Sequence, residues 1–542
     1  MNTRSILILG LFLTLATAGS AHGNTITVNW PQDDNTPNDG RCTLREAVQA
    51  AQDDNMNQSN QDCAWGEDTD TIVFAGSEIP AGTSIILNTQ IQLSSNLIIR
   101  GPATIEGTGS ERLFRIGGSF DITFRDLTLT KGNETGAGGA LLINSPGAKV
   151  TIEKVKFRDN VAENNGGAIS SSNAKITIRD SEFTLNQTTN VGGALRGSNI
   201  TIEDTLFNDN TAELGGGAIY CASGSQTQPI VIRRSAFESN TAWGEEEAGT
   251  QTTGGGAIMS NCHLQIEDSE FVANMAFGVV GGGAIMHGHA GVAHITRSVF
   301  RLNSTGFGSL NQGAGGAIFA FGQLFLDRSV LTDNVARSGR GGGALYFENS
   351  LGSQVSNSVL MGNIAQMDEN HFLQQPPQQP SPGGAITVKQ DSEIEIIHST
   401  IAWNYGESDI DYHTSTANGF VAFQNSLIVG AFTKETCGGD GIFYGGETVQ
   451  SGGNLQSQEP ATPTCPEVPT AELKLSVDNG DFGVSTPSGL LKFDYPAPDY
   501  FGPAIGAGVA TFCSNPPIST RDLLNTGRNL PCDIGAVEVP TQ

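Results

Sequence analysis

Apolar and polar residues alternate in short runs through the middle of the chain. Lys175-Ile-Thr-Ile-Arg179 and Asn199-Ile-Thr-Ile-Glu203 are clear examples. A period of two predicts half-buried strands, because successive side chains of a strand point to opposite faces. The runs recur with two motifs. Gly-Gly-Ala-(Ile/Leu) begins at Gly138, Gly166, Gly192, Gly216, Gly255, Gly282, Gly315, Gly342 and Gly383. Phe-x-x-Asn alternates with it, at Phe157–Asn160, Phe183–Asn186, Phe207–Asn210, Phe237–Asn240, Phe271–Asn274 and Phe300–Asn303. It decays to Leu331–Asn334, Leu360–Asn363 and Ile401–Asn404. The shortest repeats, 24 to 28 residues, are too short for a propeller blade and lack a helical period.

Short strands separated by Gly and Asn turns at a fixed period predict an all-β fold, a single-stranded right-handed parallel β-helix. Roughly a dozen coils at about 4.8 Å each would build a rod about 60 Å long. Most recurring residues then have stacking explanations. The glycines sit at a corner that excludes a side chain. The phenylalanines form an interior aromatic ladder, and the asparagines line a turn with mutually bonded amides. Glu153, Arg179, Glu203, Arg233 and Glu267 alternate in sign from coil to coil, so stacked neighbours attract. Ser181, Thr205, Ser235, Ser269, Ser298, Ser329 and Ser358 form a hydroxyl row, and a nucleophile is not expected once per coil.

Composition narrows the reading. The 542 residues carry 28 Lys+Arg against 56 Asp+Glu, a formal charge of −28. That balance opposes nucleic-acid binding, which needs cations to neutralise phosphates. Residues 1–23 read as a secretory signal, with Arg4, an apolar run Ile6–Ala18 and small residues before Gly23. No later stretch is apolar enough to span a membrane. We expect a secreted protein, extracellular or at the cell surface. All eight cysteines follow the signal, and sequence order suggests Cys42–Cys63, Cys221–Cys262, Cys437–Cys465 and Cys513–Cys532.

The alternation of Gly-Gly-Ala-Ile with Phe-x-x-Asn over about residues 136–404 resembles the repeats of the polymorphic outer-membrane proteins, β-helical surface adhesins. Those proteins end in a membrane barrel, and no such strand series follows residue 430. Cys42-Thr-Leu-Arg-Glu-Ala47 resembles the Cys-Ser-Leu-Arg-Glu-Ala motif of a class of exported bacterial proteins, and Cys532-Asp-Ile-Gly-Ala536 resembles the ending of β-helix proteins in that class. These resemblances imply bacterial secretion and no particular activity.

The chain divides into a signal (1–23), an N-terminal cap with the first coils (24–100), the β-helix (101–430) and a loop-rich C-terminal cap (431–542). Thr43 to Asn55 is the one good helix candidate, with Leu44, Ala47, Val48 and Ala51 on one face. From Asn to the next Gly-Gly pair the spacing is six residues in three early coils, and later 15, 8, 12, 8 and 20. Equivalent corners stack, so these insertions emerge on one side, often the binding face of a repeat protein; tolerance of loop length is the alternative reading. That side and the last coil carry Trp243, Glu245, Glu246, Glu247, Phe307, Asp368, Glu369, His371, Trp403, Tyr405, Asp409 and Asp411. Aromatics beside carboxylates fit sugar stacking with hydroxyl bonding, or calcium, the one cofactor the pattern invites.

Histidines cluster at His263, His287, His289 and His294. The pair at i and i+2 could face one way and bind a metal, yet no aligned carboxylate completes a site. The column Tyr220, Met259, Met286, Phe319 and Tyr346 is core if the repeated Ala points inward and an outward stripe if the Ile or Leu does; its size favours core. No catalytic set emerges: Arg196, Lys389, Asp409 and Asp411 stand as isolated candidates. The leading functional expectation is an adhesin-like binding protein that engages a polysaccharide or cell-surface glycan through its loop face. The alternative is a Ca-assisted extracellular polysaccharide lyase or glycoside hydrolase, and a structural spacer is a third reading.

Overall fold

Alternation sends Ile176 and Ile178 inside and leaves Lys175 and Arg179 outside. That segment is half of one side of a coil. After a bend at Asp180 (φ 48°), Glu182–Thr184 completes the side and buries Phe183. Asn186 turns the chain into the two-residue strand Gln187–Thr188. The Gly192-Gly193 corner then leads to Leu195–Arg196, and the next coil begins at Ile200. Pairing is parallel and in register, Ile176 on Ile200 and Ile178 on Ile202. Repeated along the chain, this gives a wide sheet of the long strands, a short sheet of the two-residue strands and a return sheet behind the glycine corner.

This computed structural model describes residues 23–53, 62–80, 82–222, 229–244, 254–277, 281–306, 313–337, 339–366, 382–413 and 419–429, with short strands between 435 and 498. Residues 1–22 of the expected signal and the expected Cys513–Cys532 pair lie outside them. The parallel ladder starts at Thr25–Val28, and strands as late as Thr470–Ala471 still pair in it. Leu475–Thr486 and Gly489–Pro498 form an antiparallel hairpin.

The interior columns are continuous. The phenylalanine rings from Phe157 to Phe300 stack with centres 4.6 to 4.8 Å apart and planes within 7°. Beside them the asparagines are fully buried. Asn210 Nδ2 donates to Asn240 Oδ1 (2.9 Å) and to the Phe183 carbonyl (2.8 Å), and its backbone N–H also donates to Asn240 Oδ1 (3.1 Å). Each amide from Asn186 to Asn363 likewise satisfies both donors and both lone pairs, which is what allows an amide column in an apolar core. The hydroxyl row is equally closed: Ser235 Oγ accepts from Thr205 N–H and donates to the Arg233 carbonyl.

On the outer surface of the wide sheet the expected charge ladder is present, for example Arg179–Glu203 at 3.0 Å and Arg233–Glu267 at 3.4 Å. A second ladder, unread in the sequence, runs along the bend, where Arg234 pairs with Asp204 (2.8 Å) and Arg297 with Asp268 (2.7 Å). These bend residues have positive φ without being glycine. The wide-sheet bends thus use charged residues where the other corner uses glycine. At that other corner Gly192 has φ +73°, and a Cβ on it would press on the Leu195 backbone and the Tyr220 side chain.

Near the start, Leu44–Asp53 is helical and buries Leu44, Ala47, Val48 and Ala51. Thr43 and Glu46 form a reciprocal capping box, with Thr43 N–H on Glu46 Oε2 (3.0 Å) and Glu46 N–H on Thr43 Oγ1 (3.2 Å). Arg45 binds Asp33 and the carbonyls of Thr89 and Gln90, tying the helix to the first coils. The motif that resembles a secretion class therefore has a local structural job. Cys42–Cys63 and Cys221–Cys262 are disulfides. Cys437 is also disulfide-bonded, while its expected partner Cys465 lies outside the described residues.

Candidate functional site

Because a side chain on each coil stacks on its counterparts, outward columns can be compared position by position. On the return sheet one column reads Ser170, Arg196, Tyr220, Met259, Met286, Phe319, Tyr346, Thr387, Asp411. Its members change character along the rod, unlike the interior ladders. The size of this column favours core over an exposed stripe, and Met259, Met286, Phe319 and Tyr346 are buried, in an apolar cluster with Ala314 that is separate from the main core filled by the Ile and Leu neighbours. Tyr220 and Phe321 flank it, half-buried. Ala and Ile are both buried because the Ala stands at the corner, where the chain turns inside the coil.

Beyond Tyr346 the column passes through Thr387 to Asp411. Asp411 is 4% exposed, and His413 Nε2 stands 2.8 Å from its Oδ2. Lys389 pairs in register with His413, and Glu348 with Lys389. Arg340 stands 3.8 Å from Glu348. Burial raises the pKa of Asp411, with His413 and Lys389 opposing the shift. A buried carboxylate held by a histidine beside a lysine is an acid–base arrangement. Asp409, two residues earlier, is fully buried.

The short sheet carries a second changing column, three residues after each ladder asparagine: Glu163, Thr189, Glu213, Trp243, Phe277. Main-chain bonds fix the stacking, Glu213 N–H to the Thr188 carbonyl, Trp243 N–H to Ala212 and Phe277 N–H to Ala242. Trp243 is 50% exposed, and its ring lies 4.6 Å from that of Phe277 at 19°.

The other expected site residues scatter. His287 is fully buried, between Ser260 and Ala320 in register, and neither ring nitrogen has a well-formed hydrogen bond. Burial lowers its pKa to about 4. His289 is exposed and tilted against Phe321, 4.7 Å between ring centres. The two histidines therefore do not share a face, because the strand ends at His287. Among the described residues no cluster of His, Cys, Asp and Glu could hold a metal. Trp403 is half-buried at a left-handed bend (φ 56°), and Tyr405 bridges to Ile364 in the short sheet. Trp243 and Asp411 are about 24 Å apart along the axis, five coils at the strand spacing. Glu245, Glu246, Glu247, Phe307, Asp368, Glu369 and His371 lie outside the described residues.

Phe277, Glu213 and His413 were missed by sequence reasoning. The signal was available: each of the first two stands three residues after a ladder asparagine, and His413 stands two after Asp411 on one strand. A separate cleft of about 540 Å³ near the first coils, lined by Phe74, Pro80, Pro102, Leu127, Lys154 and Lys156, contains none of the expected residues.

A family model described as right handed beta helix region matches residues 112–314. The solenoid is accordingly a right-handed parallel β-helix, of about 11 turns. No curated protein matches the chain. Among solved structures, the crystal structure of pectate lyase Pel9A aligns over 94% of this chain and 96% of its own, at 13% identity and a TM-score of 0.23. That likeness carries no argument about activity.

Proposed function

We propose that this chain is a secreted, adhesin-like binding protein that engages polysaccharide or cell-surface glycan along the flank where the short sheet passes into the return sheet. One observation carries the reading. Columns that repeat unchanged close on themselves through stacking, amide or ion-pair contacts, while on this flank one column turns to the exposed Trp243 stacked on Phe277 and another ends at the buried Asp411 beside His413. Exposed aromatic surface beside carboxylates is the chemistry that holds sugar rings by their C–H faces and their hydroxyls. The disulfides agree with export to an oxidising compartment. The test is a glycan array followed by co-sedimentation with insoluble polysaccharides. Retention that is lost on changing the flank supports the reading, and absence of any glycan binding overturns it.

Asp411 with His413 and Lys389 favours a second reading, cleavage of the bound glycan by a polysaccharide lyase or glycoside hydrolase. Here Asp411, whose pKa burial raises, would exchange a proton with the substrate. Incubation with neutral and uronic-acid polysaccharides, followed for reducing ends and for unsaturated product, tests it. Turnover abolished in Asp411→Asn supports the enzyme, and no turnover by the intact protein rejects it.

A further inference from the structure

We propose that the cleft between residues 75–83 and the bends of the following coils is a second saccharide site, built for an uncharged sugar near the amino-terminal end of the rod. It stands apart from the flank described above and does not depend on it. The cleft exists because one early coil departs from the repeat. The two half-strands of that coil, Asp70–Phe74 and Ser84–Leu87, are joined by the nine residues 75–83. The following two coils cross the same bend inside single strands, Leu97–Gly107 and Asp121–Thr130, and the one after them uses only Lys154 and Val155. Ile79 anchors the long loop; it is buried, and its N–H donates to the Ala75 carbonyl (2.8 Å). The space is about 540 Å³, within the range of small-ligand sites, roughly 300–1,000 Å³.

The lining selects the chemistry of the ligand. Phe74, Pro80, Pro102 and Leu127 supply apolar surface, and Thr83, Thr104 and Thr128 supply hydroxyls, the last two in register on adjacent strands. Threonines recur on this outer face, at Thr151, Thr177 and Thr201; the loop facing them sets the cleft threonines apart. Three charged groups line the cleft. Lys156 is held by Glu182 at 2.9 Å. Asp126 and Lys154 stand on neighbouring coils at the left-handed bend, φ 54° each. The same bend position closes as an ion pair at Asp204 and Arg234, whereas Asp126 and Lys154 both face the cleft. A ligand with a net charge of either sign meets its like there. A neutral polyhydroxylated ring uses both groups, accepting from Lys154 and donating to Asp126, while its C–H face packs on the apolar lining. An extended peptide finds no edge to join, because Ser84–Leu87 is bonded to Thr104–Gly107 on one side and bridges to Gln32 on the other.

Titration calorimetry with the full chain tests this, using cellobiose, maltose, lactose and mannobiose as neutral probes and digalacturonate and the glucosamine dimer as charged ones. At least one neutral disaccharide should bind, more tightly than either charged one and with little dependence on salt. Asp126→Asn and Lys154→Gln should each lower its affinity about tenfold, and Thr128→Val about threefold. Lys175→Gln, which removes a cation from the open part of the same sheet, should change nothing. Tighter binding of a charged disaccharide, failure of every neutral probe, or unchanged affinity in the folded Asp126→Asn and Lys154→Gln proteins overturns the cleft. Loss of the binding in Trp243→Ala while the cleft variants stay silent returns it to the flank, so the two readings fail separately.

Discussion

Two columns of this molecule have one residue per coil and the same spacing, and they behave in opposite ways. The asparagine column from Asn160 to Asn404 never changes, and each buried amide answers the next. The outward return-sheet column runs from Ser170 through aromatic and thioether side chains to Asp411. Identity repeated in every coil is what stacking requires, since each position must complement its own copy above and below. Variation at a stacked position relaxes that demand, so another constraint must choose the residue. In a solenoid, departure from the repeat is therefore the more informative signal for function.

Several changes would break or sharpen this contrast. Asn240→Ala removes the acceptor for Asn210 and a donor to Asn274. The Asn210 backbone N–H and Nδ2 lose their shared acceptor and the Phe207 carbonyl loses its side-chain donor, and we expect a loss of about 3–5 kcal/mol in chemical denaturation. A loss below 1 kcal/mol would mean that the column does not hold the coils together.

His287 should make stability acid-sensitive. Its folded pKa, about 4, lies below the unfolded value of 6.5. Below pH 6.5 the unfolded chain takes up a proton that the folded one refuses, so stability falls until the pH reaches the folded pKa and then levels. The full effect is about 3 kcal/mol. Denaturation midpoints of wild type and His287→Met between pH 7 and 4 should converge or cross as the pH falls. Parallel curves would show that the imidazole is not the group responsible.

Gly192→Ala places a side chain at φ +73° against Tyr220, and should cost about 1–3 kcal/mol. The same change at Gly76, where a Cβ meets nothing within 4 Å, should be nearly neutral. The smallest effect belongs to the outer ladder. Glu203 bonds Arg179 and Arg233 in part-exposed pairs, so Glu203→Gln should cost less than about 1 kcal/mol and less still in high salt. A larger loss would make the wide-sheet surface a stability element comparable to the core.

Much of the fold was legible in the residues. The two alternating motifs specified coil length, register and the interior phenylalanine and asparagine columns, because each is dictated by contact with its own repeat. The capping box at Thr43 and Glu46 and the first two disulfides were likewise accessible from local order. The candidate site was only partly accessible. Trp243 and Asp411 stood out as residue types, yet Phe277 and His413 acquire meaning only as neighbours in space.

Which way a return-sheet residue points was decided by tertiary structure. Ala and Ile of the Gly-Gly-Ala-Ile motif are both buried at the corner, so the period-two rule fails there and Tyr346 is buried in a second cluster, separate from the main core. The histidines separated for a related reason, since the strand stops at His287 and leaves His289 on the surface. Sequence alone determined what must stack, because stacking is a relation between copies of one pattern. Only the folded chain decided what lies beside what across a corner, because that depends on where each coil bends.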